Sequence, residues 1–259
     1  MIKSDKEVFV MNNTIETILN HRSIRSFTDQ LLTAEEIDTL VKSAQAASTS
    51  SYVQAYSIIG VSDPEKKREL SVLAGNQPYV EKNGHFFVFC ADLYRHQKLA
   101  EEKGEHISEL LENTEMFMVS LIDAALAAQN MSIAAESMGL GICYIGGIRN
   151  ELDKVTEVLQ TPDHVLPLFG LAVGHPANLS GKKPRLPKQA VYHENTYNVN
   201  TDDFRHTMNT YDKTISDYYR ERTNGQREET WSDQILNFMK QKPRTYLNDY
   251  VKEKGFNKN

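Results

Sequence analysis

Cysteine is scarce: the 259 residues include two, Cys90 and Cys143. They stand far apart in apolar runs, outside any CxxC or His/Cys cluster. No structural zinc site is therefore indicated, no metal is expected, and buried thiols in a reducing compartment are the reading. A membrane-length apolar run is also missing, because the best candidate, residues 116–135, is interrupted by Asp123, Gln129 and Asn130. Residues 1–13 carry a short apolar patch but no signal-peptide core. There is no G-x-S-x-G, no P-loop and no HExxH. Gly139 and Gly141 form a G-x-G, yet Tyr144 stands where a dinucleotide fingerprint needs its third glycine, and the pair follows a helical pattern instead of a strand. Excess positive charge is lacking too: 35 acidic against 29 basic residues give a net charge of −6, which disfavours nucleic acid or an anionic membrane as main partner. A soluble, cytoplasmic protein is expected.

With 40% hydrophobic and 25% charged residues, the composition is that of a globular chain with a sizeable core. A short helix is expected from Asn13 to about His21. Thr33 and Glu36 have capping-box spacing, and behind them Ile37, Leu40, Val41, Ala44 and Ala47 recur at helical intervals. Residues 56–61 read as a strand, and Pro64 opens a further short helix. The continuous apolar run 85–91 suits a strand covered on both faces. From Asn113 to Met138 one long helix is apolar on nearly every side, so it should be central, with Gly139 as its C-terminal cap. Strands follow at 143–145 and 166–173, separated by a helix over 149–159. Beyond Gly174, residues 175–200 read as a long wrapping loop and 202–256 as a polar helical tail with sparse apolar anchors. The fold class is α+β.

Four segments are suited to holding a ligand. His21, Arg22, Ser23 and Arg25 concentrate cations and a hydroxyl around Ile24, as a phosphate requires; a solvated basic turn has the same composition. Lys183 and Arg185 lie in a loop stiffened by Pro184 and Pro187, which positions the Arg185 charge. Ile145, Gly146 and Gly147 end a strand with bare backbone that a flat ligand can approach, or that a tight turn needs. Ser48, Ser50 and Ser51 with Gln54, and Gln77 with Tyr79, offer mixed donors and acceptors fit for a heterocycle edge, or form ordinary loops. No side-chain nucleophile stands out, which suits an enzyme whose cofactor carries the chemistry.

Taken in order, His-Arg-Ser-x-Arg, the serine run, Gln-x-Tyr-Val, Tyr-Ile-Gly-Gly and Lys-Pro-Arg-Leu-Pro resemble the flavin-dependent, oxygen-insensitive NADPH nitroreductases and the related NADPH:flavin oxidoreductases. The likeness extends from about Thr14 to Phe256 and includes the segment from Tyr218 to Trp231. It implies a nitroreductase-like fold: a central, mixed but mainly antiparallel sheet flanked by helices, with a C-terminal extension wrapping a dimer partner. Residues 1–174 would form an FMN-binding core and 175–259 the wrapping loop and dimerisation arm of a single domain.

The resemblance further implies a homodimer with bound FMN and with NADPH as co-substrate. His21, Arg22, Ser23, Arg25, Lys183 and Arg185 would hold the phosphate end and ribityl chain. Ser48, Ser50, Gln77 and Tyr79 would line the flavin, with Ile145, Gly146 and Gly147 near the ring. Ser51, Tyr52, Arg244 and Tyr246 would border the open substrate face, and Arg222 and Arg227 would recognise the extra phosphate of NADPH. The activity implied is two-electron, ping-pong hydride transfer through flavin N5 to nitroaromatics, flavins, quinones or similar small acceptors. Lys183 is expected to give electrostatic support to the reduced flavin. The alternatives are a flavin reductase supplying reduced FMN to a partner and a non-catalytic flavin-binding sensor. No role is assigned to residues 99–106.

Overall fold

The computed structural model describes residues 12–241 and 244–259; the apolar patch read at the N-terminus lies almost wholly outside them. In chain order the elements are α1 (Asn13–Leu19), α2 (Ala34–Gln45), β1 (Tyr56–Val61), α3 (Pro64–Leu73), α4 (Pro78–Glu81), β2 (His85–Asp92), α5 (Tyr94–Lys103), α6 (Ser108–Leu111) and α7 (Thr114–Ser137). They continue with β3 (Gly141–Ile145), α8 (Leu152–Leu159), β4 (Val165–Gly174), α9 (Thr201–Arg222), α10 (Trp231–Lys240) and α11 (Leu247–Glu253).

The α+β class holds. β1, β2, β4 and β3 form one sheet in that order, and every ladder is antiparallel. The mixed character expected of the sheet is reduced, among the described residues, to one isolated parallel bridge between Ser23 and Ile142. β2 is buried along its whole length, as its unbroken apolar run requires of a strand covered on both faces. One face packs Phe86, Val88 and Cys90 with α3, α8 and the C-terminal Phe256. The other packs Phe87 and Phe89 with α2 and the Ala- and Met-rich side of α7.

Local signals set the helix ends. Thr33 and Glu36 make the capping box reciprocally, Thr33 Oγ1 accepting from the Glu36 amide and Glu36 accepting from the Thr33 amide. Asn113 caps α7 by accepting from the Met116 amide, and Gly139 takes the left-handed backbone that stops it, φ +78°. Residues 99–106, which carried no assignment, supply the last turns of α5 and the Gly104 that terminates it.

The expectation that α7 is apolar because it is buried all round needs correction. Met118, Ile122 and Leu126, spaced four residues apart on one face, are 50%, 46% and 43% exposed. By length and hydropathy α7 could cross a membrane, but here it packs along the sheet with Asp123 fully buried.

The chain divides into two compact units, one running up to Ser180 and resuming with Tyr246–Asn259, the other spanning Gly181–Thr245. In the first, the last residues dock onto the core: His164 N–H donates to Lys254 O, Lys258 N–H donates to Glu112 O, and Phe256 is fully buried beside Phe117. In the second, α9 presents Tyr211, Ile215 and Tyr219 to Leu186 and Trp231. Residues 175–200, read as a loop, contain a single short helical turn, Lys188–Ala190.

His85 opens β2 with its ring buried against Phe87. Burial, and then the charge of Lys67, push its imidazole down to about 4 from 6.5. The unfolded chain takes up this proton at the higher value, so the native state loses stability as pH falls from about 6.5 towards 4 and is unaffected above that window. In urea titrations His85→Gln is therefore expected to start less stable than the parent and to converge with it as pH drops from about 7 to about 4.5. A gap that stays constant over that range would refute the assignment.

Candidate active site

The basic segment leaves α1 and runs beside the start of β3, where Ile24 N–H donates to Ile142 O at 2.8 Å. Ile24 is its buried point, which turns the polar neighbours elsewhere. His21 Nδ1 pairs with Glu136 Oε1 at 2.7 Å. Arg22 Nε donates to Asn20 O, and its Nη1 approaches Ser180 O at 3.5 Å. Ser180 Oγ in turn donates to Ser23 O at 2.8 Å, tying the chain after β4 to this segment. The Arg25 charge sits near Tyr79 and Cys143, partly offsetting the upward shift that burial gives each. The segment therefore distributes its cations: His21 goes to the end of α7, and Arg25 to the residues after α3.

There Gln77 and Tyr79 are coupled. Tyr79 Oη donates to Gln77 Oε1 at 2.7 Å, and Gln77 Nε2 donates to Ala74 O at 2.7 Å. Gly147 lies directly against this pair: a Cβ on it would stand 2.3 Å from Ala74 O and 2.5 Å from Gln77 Nε2. Its lack of a side chain is thus required by close packing of two loops. Ile145 is buried, Gly146 is half-buried, and Tyr144 turns to the other face, its hydroxyl bonded to Ser132 Oγ at 2.9 Å.

The serine run is held from beneath. Asp123 is completely buried in α7. Its Oδ1 accepts from the Ser50 amide at 2.9 Å and its Oδ2 from the Ala55 amide at 3.0 Å. Between those anchors Ser51, Tyr52 and Gln54 take left-handed backbone conformations, φ +48°, +61° and +56°. Such conformations cost non-glycine residues energy and persist when the surroundings over-determine them. The loop presents Ser48, Ser51 and Tyr52 outward, Tyr52 being 82% exposed. Tyr246 differs: its hydroxyl donates to Arg149 O and accepts from Leu152 N–H, both at 2.8 Å, and its ring centre stands 6.4 Å from that of Tyr250.

In the second unit four of the five basic residues singled out, all but Arg244, gather at the aromatic face of α9. Lys183 Nζ lies 5.3 Å from the Tyr219 ring centre, and the Arg227 guanidinium lies 4.4 Å from the same ring. Arg222 donates to Tyr218 Oη at 2.7 Å. Arg185 Nη1 donates to Lys183 O, and Tyr211 Oη donates to Pro184 O, pinning that loop to the helix. Arg244 adopts a left-handed backbone, φ +63°, and is half-buried. A cavity of about 900 Å³ in this unit is lined by Leu186, Phe204, Met208, Trp231, Ile235 and Leu236 among others, and by none of these cations.

Residues 18–175 match the model of the nitroreductase family, and residues 183–259 match that of the nitroreductase family C-terminal domain. The chain belongs to the nitroreductase family. Within it, the chain is 99% identical over 249 residues to an FMN reductase (NADPH) of Bacillus subtilis strain 168, covering 96% of this chain and all of that one. A solved nitroreductase structure from B. subtilis superimposes with a TM-score of 0.94 at 99% identity, over 95% of this chain and 100% of the other. An NADPH:FMN oxidoreductase from Vibrio harveyi, solved in complex with NAD+, gives 0.84 at 41% identity, over 96% and 100%.

Three residues of this nitroreductase-family chain escaped sequence reasoning: Asp123, Glu136 and Tyr219. Asp123 was visible as a charge inside an apolar helix and was read only as an argument against a membrane span. Glu136 gave no sequence signal of its own, and Tyr219 read only as an apolar anchor of the C-terminal tail.

Asp123→Ala would leave two amide donors without their acceptor, and a hydrogen bond to a charged group contributes about 1.5–3 kcal/mol. The variant is expected to lose at least about 3 kcal/mol in urea unfolding. Asp123→Asn turns one acceptor into a donor facing a donor, so it should recover less than half of that loss. An unchanged midpoint for either variant would show that the loop holds itself.

Proposed function

We propose that this chain is an FMN-dependent NADPH oxidoreductase that reduces small acceptors, flavins and nitroaromatics among them. The observation that carries this reading is the 99% identity, over nearly the whole chain, to an FMN reductase (NADPH). The donor set fits the cofactor. FMN offers a phosphate monoester and a ring edge of mixed donors and acceptors. The first unit supplies His21, Arg22, Ser23 and Arg25 for the anion, and Gln77, Tyr79, Ser48 and Ser50 for the edge. Ile145, Gly146 and Gly147 offer backbone to the ring. In the second unit, Lys183 and Arg185 are the residues proposed for the flavin, and Arg222 and Arg227 those for the extra phosphate of NADPH.

When bound, FMN supplies the redox chemistry, accepting hydride from the nicotinamide and passing two electrons on. The chain's own part is binding and placement of charge. Arg25 brings its charge to Tyr79, whose hydroxyl donates to Gln77, so the cation for the anion and the hydroxyl and amide for the ring edge stand in one cluster. Ser51, Tyr52, Arg244 and the ring of Tyr246 are proposed to border the substrate face. Flavin reduction is favoured over a sensor role by the name of the near-identical relative.

The homodimer is supported by the Met118, Ile122 and Leu126 stripe, an apolar ridge left open on α7. A cytoplasmic setting suits the two buried, free thiols Cys90 and Cys143.

Visible spectra test the activity. The purified protein with FMN is expected to bleach promptly on NADPH and to regain colour when a nitroaromatic or free flavin is added, with parallel double-reciprocal plots. Failure to take up FMN would overturn the cofactor assignment, and FMN that NADPH cannot bleach would favour a sensor. Lys183→Ala is expected to weaken FMN binding or slow bleaching; no change in either would remove Lys183 from the site. Ile122→Arg is expected to shift the sedimentation coefficient towards that of a monomer, and an unchanged value would move the interface away from this face.

A further inference from the structure

Glu136 stands where a carboxylate is poorly placed. It occupies the last turn of α7, a 24-residue helix whose last turn holds no basic residue. A helix C-terminus carries partial negative charge, so an acidic side chain there is disfavoured unless something offsets it. The offset comes from 115 positions away: Glu136 Oε1 stands 2.7 Å from His21 Nδ1, with the two side chains 15% and 31% exposed. The same carboxylate lies close enough to Tyr144 to push its hydroxyl pKa upward, after burial, while Ser132 bonds that hydroxyl. Glu136 is thus directed to the imidazole, with the buried Tyr144 hydroxyl near its other side.

A carboxylate only accepts hydrogen bonds, so Nδ1 must carry the hydrogen in this pair. The ring is then fixed in direction, and Nε2 has no partner among the described residues. In the imidazolium both nitrogens are donors, one taken by Glu136 and the other left to face a ligand anion. The nearest backbone carries Arg22 and Ser23, the other anion-suited groups of the segment.

We propose that Glu136 is a positioning residue for phosphate recognition: it holds His21 by Nδ1 so that Nε2 donates to the phosphate monoester of FMN. This rests on the reading that His21 binds that phosphate. A negative charge so near an anion site has no use in direct contact with the ligand and acts through the imidazole.

The test compares FMN with riboflavin, which has the same ring and ribityl chain but no phosphate. Each flavin is titrated by fluorescence quenching into full-length protein stripped of flavin. Glu136→Ala is expected to weaken FMN about tenfold, the equivalent of one lost charge-assisted hydrogen bond, while riboflavin changes by about twofold or less. Glu136→Gln, whose amide oxygen still accepts from Nδ1, should restore most of the FMN affinity. Combined with His21→Ala, Glu136→Ala should add nothing further. Equal weakening of both flavins by Glu136→Ala would mean a merely structural role and overturn the inference. So would a phosphate preference that His21→Ala abolishes and Glu136→Ala leaves intact. A preference that survives His21→Ala would instead remove His21 from the phosphate, and this inference with it.

Discussion

The buried carboxylate of Asp123 is the constraint on which the first unit's architecture turns. It sits inside the most apolar helix of the chain and spends both oxygens on backbone amides of a single loop. An ion in such a place is costly unless its lone pairs are satisfied. Here they are satisfied by Ser50 and Ala55, the two ends of a segment whose middle residues adopt left-handed backbone. Packing of α7 on the sheet therefore dictates where Ser51, Tyr52 and Gln54 stand. The carboxylate also raises the Tyr56 hydroxyl pKa, after burial, so its field reaches the first strand as well.

The same helix serves a second site at its far end. Glu136, thirteen residues beyond Asp123, receives His21, while Ser132 on the preceding turn receives Tyr144. One rigid rod thus fixes the serine loop and the start of the basic segment. Rigid elements hold a ligand site more closely than loops do, because a packed helix has few alternative positions. Gly147 extends the same economy to the other sheet face, where the absent Cβ lets two loops meet and fixes the Gln77 amide.

In the second unit, aromatic rings hold most of the singled-out cations, with Glu229 also accepting from Arg227 Nε at 2.8 Å. Lys183 and Arg227 share Tyr219, and Arg222 rests on Tyr218. Residues assigned separately to the flavin and to the NADPH phosphate thus meet on one helix face. Ring faces hold cations with less desolvation than buried anions would.

The sequence by itself determined the elements and the types of residue available for a ligand. Capping at Thr33, the stop at Gly139 and the solid apolar run of β2 are local: each depends on residues within a few positions, so pattern reveals them. The family was legible for a similar reason, since its motifs are short strings in order. Only the tertiary structure decided the partners. Asp123 lies some seventy positions from the amides it holds, and Glu136 lies still further from His21. The face of α7 bearing Met118, Ile122 and Leu126 could not be told from its buried faces, because an apolar side chain carries no mark of what covers it. Local patterns select a conformation, whereas which groups neutralise, aim or cover one another depends on a chain path that no short window of sequence contains.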